Sequence, residues 1–422
     1  MNKITNQKYQ ETYYRRTLKS GMKVIAMPKV PSYTTHVSLM FPFAARHLSY
    51  HLNHEIKHLP EGIAHFFEHK IYASEAGDMF TQFVSLGLDA NAMTGYEMTQ
   101  YIFSATSHVF EGIDLLLETV DTPYFTDENV LKERDIINEE IQMNNDRLYT
   151  KIFRHLRQNM YHNHPIKTDI LGTKDTIATI TKELLTDVHQ HFYQDHQRLL
   201  LISGNIDIKS LDQYLDTLEH RKKSSLNPKF IDIVEPSTCP IKHQVLEEDI
   251  THQMLMYGIK LSGLSNGLNY EKEMSALFML LHGLFGSSST LSQAFLDQQL
   301  VKKELYYHVE RLNGAEAVVI YAETDAPELL MTAINDVFKL QIEFHISHES
   351  FERFKRVSLA NQIEMLDHQE QKIELFAQYE LEGLDLFDVL DAKNELNYED
   401  IKTMYQRLKD CDTSTLILTP TK

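Results

Sequence analysis

Cysteine is nearly missing from this chain. The 422 residues hold two, Cys239 and Cys411, with no metal-ligand spacing between them. Such scarcity suits a reduced, cytoplasmic setting. No run reaches 18 apolar residues, so a membrane-spanning helix is not expected. Residues 1–16 are polar and lack the apolar stretch of a signal peptide. Positive charge is the scarcer sign: 41 Lys and Arg stand against 60 Asp and Glu, for a formal charge of −19. That balance disfavours nucleic acid and anionic membranes as partners, because neither phosphate surface attracts an acidic protein. Cationic peptides would suit it if the acidity lines a site; solubility alone accounts for it otherwise. Also missing are a G-x-x-x-x-G-K-[ST] loop and a G-x-S-x-G elbow, so phosphate-cradle and acyl-serine chemistry lack their marks.

The length suggests two or three domains, and a hydrophobic share of 42% is ordinary for a chain with a sizeable core. Apolar strands are expected over 35–43, 99–107 and 199–203, with helices over 126–149, 150–161 and 181–191. The stretch 221–240 breaks this pattern. Arg221-Lys222-Lys223-Ser224-Ser225 is polar, and Pro228, Pro236 and Pro240 punctuate the remainder of the stretch, as in an inter-domain linker. Beyond it the plan returns, with strands over 254–261 and 317–322 and helices over 271–281 and 292–299. Each half closes on a helix followed by a strand, over 180–204 and 396–419, about 216 residues apart. This weak repeat implies an α+β protein of two similar domains, 1–220 and 241–422, each a sheet with helices on one side.

The densest chemistry lies in His65-Phe66-Phe67-Glu68-His69. Histidines four apart share one helix face and can grip one metal ion from the same side. Glu68 emerges near that face, where a carboxylate can take the proton of a metal-activated water. The order His-x-x-Glu-His is the inverse of the common zinc-protease order. With 22 His in the chain, some pairs at this spacing arise by chance. Phe66 and Phe67 read as core beneath the motif. Two other groups invite a metal reading less: His162 and His164 would share a face only in extended structure, and His51, His54 and His58 read as loop or surface residues.

A catalytic zinc takes three protein ligands and leaves one position open. The expected helix over 126–149 offers the third: Thr126 is its N-cap, and Val130, Ile137, Ile141 and Leu148 make an apolar stripe. Glu133 and Glu140, two turns apart, lie at the stripe's edge, while Glu139 points to water. An inward carboxylate needs a partner, because an unpaired buried charge is costly. That partner is a metal ion, or else a Lys or Arg at the helix edge.

His65-x-x-Glu68-His69, followed 71 residues after His69 by Glu140, resembles the insulinase, pitrilysin and mitochondrial processing peptidase superfamily. The resemblance extends to Gly62-Ile63-Ala64 before the motif, to Asp89-Ala90-Asn91-Ala92-Met93-Thr94, to His164-Pro165 and Leu171-Gly172-Thr173, and to Gly283-Leu284-Phe285-Gly286-Ser287-Ser288, spanning roughly 17–310. The stretches 62–72 and 161–172 most resemble small cytoplasmic members from Gram-positive bacteria, which occur beside a zinc-less sister subunit. The resemblance implies two domains facing each other across a substrate cleft. It implies Zn²⁺ held by His65, His69 and Glu140, Glu68 as general base, and Glu133 supporting the site from behind. Asn91 and Ala92 would pair with the backbone of a peptide substrate.

One departure stands out. Family members of full function carry an Arg and a Tyr seven apart in the second domain; here Tyr307 matches the Tyr, but Leu300 stands where the Arg belongs. The expected function is therefore a zinc-dependent endopeptidase of processing type whose site is completed by a homologous sister subunit, as a heterodimer, or by a second copy, as a homodimer. The alternative is a non-catalytic structural subunit of a peptidase-like complex.

Overall fold

The computed structural model describes residues 1–421 save Ala76, Ser225, Asn227 and 340–345. Two compact units emerge. The first comprises Met1–Arg147, Thr168–Asp232 and Ile363–Gly383; the second comprises Leu148–Lys167, Ile233–Gln362 and Leu384–Lys422. This division departs from a linear one at 1–220, 221–240 and 241–422 in two segments. Helix Leu148–Met160, from the first half of the chain, belongs to the second unit. Helix Gln369–Leu381, from the second half, belongs to the first. Ser225 and Asn227, within the 221–240 stretch, lie outside the described residues.

The first unit is built on a seven-stranded sheet. Its spatial order is Asn2–Asn6, Glu11–Thr17, Lys23–Pro28, Leu199–Gly204, Thr35–Phe41, Thr99–Ala105 and Asp89–Thr94. Leu199–Gly204 runs parallel to Lys23–Pro28 and the other pairings are antiparallel. The second unit has five strands in the order His243–Glu248, Asp412–Pro420, Met254–Lys260, Ala317–Glu323 and Tyr306–Glu310. Here His243–Glu248 and Asp412–Pro420 are the parallel pair and the rest are antiparallel. These five match the last five of the first sheet in order and sense, so Tyr306–Glu310 is the counterpart of the edge strand Asp89–Thr94. The two units are α+β repeats of one plan.

In the first unit alternate strand residues, among them Val37, Leu39, Phe41, Tyr101 and Phe103, turn toward the helices and are buried with Phe66 and Phe67 of the motif helix. Tyr193 ties this layer together: its ring lies 4.2 Å from that of Phe67 and 4.3 Å from that of Phe41, and its hydroxyl meets that of Tyr101 at 2.9 Å. The opposite face carries Ile25, Met27, Leu199 and Leu201, all buried, and Gln369–Leu381 covers it, with Phe376 5.1 Å from the Tyr13 ring. Each sheet thus takes a helix on its second face from the other half of the chain, whereas the sequence pattern suggests helices on one side alone.

In the second unit, Gly267–Asp297 is apolar enough by length and composition to cross a membrane. Its Leu277, Leu280 and Leu281 are fully buried in that unit's core, and its buried Glu271 is paired with Arg311 and Lys393. Those are the properties of a core helix.

Candidate metal centre

The motif helix runs Ile63–Ile71 and starts from Gly62, whose φ of 87° is open to glycine without strain. A Cβ there would stand 2.4 Å from the Leu171 carbonyl oxygen, and one on Gly172 (φ +74°) would stand 2.5 Å from that of Glu61. The loop before the motif and the 171–172 turn therefore cross at a distance only two glycines permit. That crossing fixes where the helix begins.

The helix Asp127–Asp146 approaches from the other side. Thr126 accepts from the Asn129 amide and Asn129 returns a bond to Thr126, a reciprocal cap. Val130, Ile137 and Ile141 are buried against the core, as the stripe required. Leu148 is not part of it. The helix stops after Asn144-Asn145-Asp146, three poor helix formers in succession, and Arg147 is extended. Leu148 then opens the next helix, in the second unit.

These two helices bring three side chains together. Glu140 Oε2 lies 3.8 Å from His65 Nε2 and 3.7 Å from His69 Nε2. The ligand atoms of the three residues all fall within 4.8 Å of one another. A tetrahedral ion with bonds of about 2.0–2.2 Å separates its ligands by about 3.3–3.6 Å, and the two carboxylate–imidazole spans already lie within a few tenths of an ångström of that. Two imidazoles and a carboxylate form a donor set that this ion takes in catalytic sites. Glu139, next along the helix, points to solvent.

Glu133 stands behind His69, its Oε1 3.0 Å from Nδ1. That bond leaves Nε2 turned toward Glu140 and fixes the ring. The second oxygen of Glu133 accepts from Lys70 Nζ at 3.1 Å. Burial disfavours the Glu133 anion, but the hydrogen bond from His69 and the Lys70 charge outweigh it and hold its carboxyl below the usual range. His65 is held neutral, its pKa brought down to about 3 by burial and then by the neighbouring His69. For His69 burial acts downward, yet the Glu133 bond and the Glu140 and Glu68 charges prevail and raise it. Glu68 is pushed up, mainly by burial and also by Glu140, against the hydrogen bond from Thr94 Oγ1 to its Oε2 at 2.9 Å.

Thr94 comes from the edge strand Asp89–Thr94, which pairs with Thr99–Ala105 along one side. Asn91 and Ala92 lie in this strand; Asn91 Oδ1 accepts from the Ala92 amide at 2.8 Å, and the Asn91 carbonyl from the Tyr72 hydroxyl at 3.2 Å. Tyr307 lies in the second unit, its hydroxyl 3.2 Å from His282 Nδ1, and Leu300 is buried in that unit's core. His164, singled out by its spacing from His162, is buried, with its ring nitrogens at the Ile166 amide and the Asn313 carbonyl. His51 and His58 lie in the strands of an exposed hairpin, with His54 at its turn.

Two contributors carry no role in the sequence pattern taken alone. Thr94 shares the strand face of Ala90 and Ala92, and period-2 alternation from the Asn91 motif points to it. Lys70 is detectable as a lone cation in a helix otherwise apolar on that side, between His69 and Ile71.

The chain belongs to the insulinase family of peptidases (peptidase family M16): that family model matches residues 55–174, and the one described as the peptidase M16 inactive domain matches 179–358. YmfH of Bacillus subtilis, named an uncharacterized zinc protease, is 28% identical over 409 residues, covering 96% of this chain and 95% of that protein. A putative M16-like peptidase from Alicyclobacillus acidocaldarius superposes with a TM-score of 0.88 at 25% identity, over 97% of this chain and 98% of that one. Pitrilysin shares the fold at a TM-score of 0.77 and 18% identity, with this chain spanning 46% of it.

Proposed function

We propose that the chain is a zinc-dependent endopeptidase of processing type, with His65, His69 and Glu140 as metal ligands and Glu68 as general base. The observation that carries this reading is the approach of both Nε2 atoms to one oxygen of Glu140, at 3.8 and 3.7 Å. Bound there, Zn²⁺ would acidify a water and polarise a peptide carbonyl. Glu68, steadied by Thr94, takes the water's proton and passes it to the leaving amine. A peptide adds as a strand along Asp89–Thr94, its backbone read by Asn91 and Ala92. The carboxylate behind the general base's helix, Glu133, keeps the His69 ring in its binding orientation.

Tyr307 is assigned to substrate binding, and Leu300 in place of its usual arginine partner means that a homologous chain, a zinc-less sister or a second copy, completes the site. A cytoplasmic location suits the two unpaired cysteines. The description of residues 179–358 as an inactive domain favours a second reading, a structural subunit. Metal analysis separates the two, because a scaffold has no need of stoichiometric zinc.

The direct experiment is Glu68→Gln in the zinc-loaded chain, assayed on a peptide library with and without a homologous partner. Hydrolysis is expected to fall by about 10²–10⁴-fold or more with zinc content unchanged. Wild-type cleavage by that variant would remove Glu68 from the mechanism.

A further inference from the structure

The second unit repeats a contact found at the metal centre. In the first unit a helix side chain, Glu68, takes a hydrogen bond from Thr94 of the edge strand Asp89–Thr94. The motif helix is the next helix after strand Thr35–Phe41; its counterpart, Gly267–Phe285, is the next helix after Met254–Lys260. The counterpart edge strand is Tyr306–Glu310. There His282, in the last turn of the helix, places Nδ1 3.2 Å from the Tyr307 hydroxyl. Tyr307 is paired with buried Ile320 and packs on the unit's core, so its ring turns to the helix layer while Tyr306 and His308 turn away.

The His282 ring is held from two more sides. Phe354 meets it edge-on, with centroids 4.9 Å apart and planes at 84°. A Cβ on Gly286 would stand 2.4 Å from the His282 carbonyl oxygen and 3.1 Å from Nδ1, so the helix ends on a glycine because the ring lies against it. A Cβ on Gly283 would stand 2.4 Å from Ile346 Cδ1 and 3.3 Å from the Phe354 ring. The two glycines of 283–288, a segment with no metal ligand, thus make room for His282 and for the aromatic ring that backs it.

A ring nitrogen beside a hydroxyl admits two proton arrangements. If Tyr307 donates to a bare Nδ1, its one proton is used. If Nδ1–H donates to the hydroxyl oxygen, the tyrosine proton is free for an outside acceptor. Among the described residues the hydroxyl has no second partner that would claim it.

We propose that His282 is a positioning residue for substrate binding: its Nδ1–H holds the Tyr307 oxygen, and the tyrosine proton is presented to a backbone carbonyl of the bound peptide. This rests on the assignment of Tyr307 to substrate binding above and adds the residue that directs its proton. A carbonyl is the acceptor that every peptide residue offers, so the contact reads backbone, in keeping with strand addition. His282 is exposed, and water satisfies its bare Nε2.

The test has two arms. In the unsubstituted chain, nitrogen NMR of isotope-labelled histidines, with the His282 signal identified by its loss in His282→Asn, should find the proton on Nδ1. A proton on Nε2 with Nδ1 bare overturns the proposal. The second arm is fluorescence anisotropy on the zinc-loaded chain carrying Glu68→Gln, with a fluorescein-labelled heptapeptide of alanines and threonines. Added Tyr307→Phe should weaken binding about fivefold, the size of one ordinary hydrogen bond. Added His282→Ala should weaken it about threefold where Tyr307 is present and not at all on top of Tyr307→Phe, because the two act as one contact. His282→Asn, whose amide nitrogen falls where Nδ1 stands, should restore binding, and His282→Gln should not. Losses that multiply, a silent His282→Ala beside a weakened Tyr307→Phe, or an asparagine variant no better than the alanine one overturns the proposal alone. A silent Tyr307→Phe, or no binding of the peptide, overturns the assignment of Tyr307 and the proposal with it. Zinc content, measured alongside, reports on the peptidase reading by itself.

Discussion

Lys70 is an unusual residue to find beside a metal centre, since its side chain is only 7% exposed. A buried ammonium is tolerated when paired, and Glu133 supplies the pair while its other oxygen holds His69. One carboxylate thus answers two charges, and its anionic form is locked in from both sides. Glu133→Gln keeps the shape but weakens both bonds, so zinc affinity should drop by about 10–100-fold, read by competition with a chromogenic chelator. An unchanged affinity would show that the His69 ring is oriented by packing alone. At this scale much of the arrangement is legible from spacing. A rotation of 100° per residue separates solvent-facing Glu139 from Glu140, and four residues put His65 and His69 on one face. Lys70 and Thr94 are not legible as partners, because neither contact follows from one element's periodicity: each joins side chains from different elements.

Elements show the same limit. Thr126 and Thr181 announce their helices because a cap is a local hydrogen bond, and both cap as expected. The helix end at Asp146 carries no Gly or Pro to mark it, and Asn144-Asn145-Asp146 is a weak signal by comparison. Gly62 and Gly172 matter through each other, a relation invisible in either segment. Gly172→Ala would force a Cβ to 2.5 Å from the Glu61 oxygen at φ +74°. It should cost about 1–3 kcal/mol, lower the melting temperature, and displace the start of the motif helix enough to weaken zinc retention. A melt equal to wild type would mean the crossing relaxes freely.

The 44–47 loop makes a pH prediction. His47 Nδ1 accepts from the Ala44 amide, its ring stacks 3.8 Å from Phe230, and burial and then Arg46 hold its pKa well below the ordinary value. The unfolded chain takes up a proton there below about pH 6.5 and the folded one does not. Stability from this residue is therefore fully present above about pH 6.5 and is lost as the pH falls. Between pH 7 and 5 the loss should be about 2 kcal/mol. His47→Gln should flatten the fall in unfolding midpoint over that range; an identical slope would place the titration elsewhere.

The exchange of helices between halves shapes the whole molecule. Local pattern suggests two repeated α+β halves, because each closes on the same helix-strand unit. It cannot show that Gln369–Leu381 covers the sheet of the first unit, since that contact joins residues more than 300 positions apart, such as Lys372 and Glu11 at 2.8 Å. The consequence is measurable. A fragment of residues 1–220 keeps every candidate metal ligand yet lacks the helix that buries Ile25, Met27, Leu199 and Leu201 on the second face. It also lacks Ile373, Phe376 and Tyr379, which are 2–4% exposed in the intact protein. Burying three such side chains contributes roughly 5–8 kcal/mol, comparable to the whole stability of an ordinary domain. The fragment should therefore aggregate or lose near-ultraviolet circular dichroism, and should fail to hold stoichiometric zinc. Fusing residues 363–383 to it through a flexible linker should restore a cooperative melt. A fragment that melts cooperatively and binds zinc without that helix would show the first sheet to be self-sufficient.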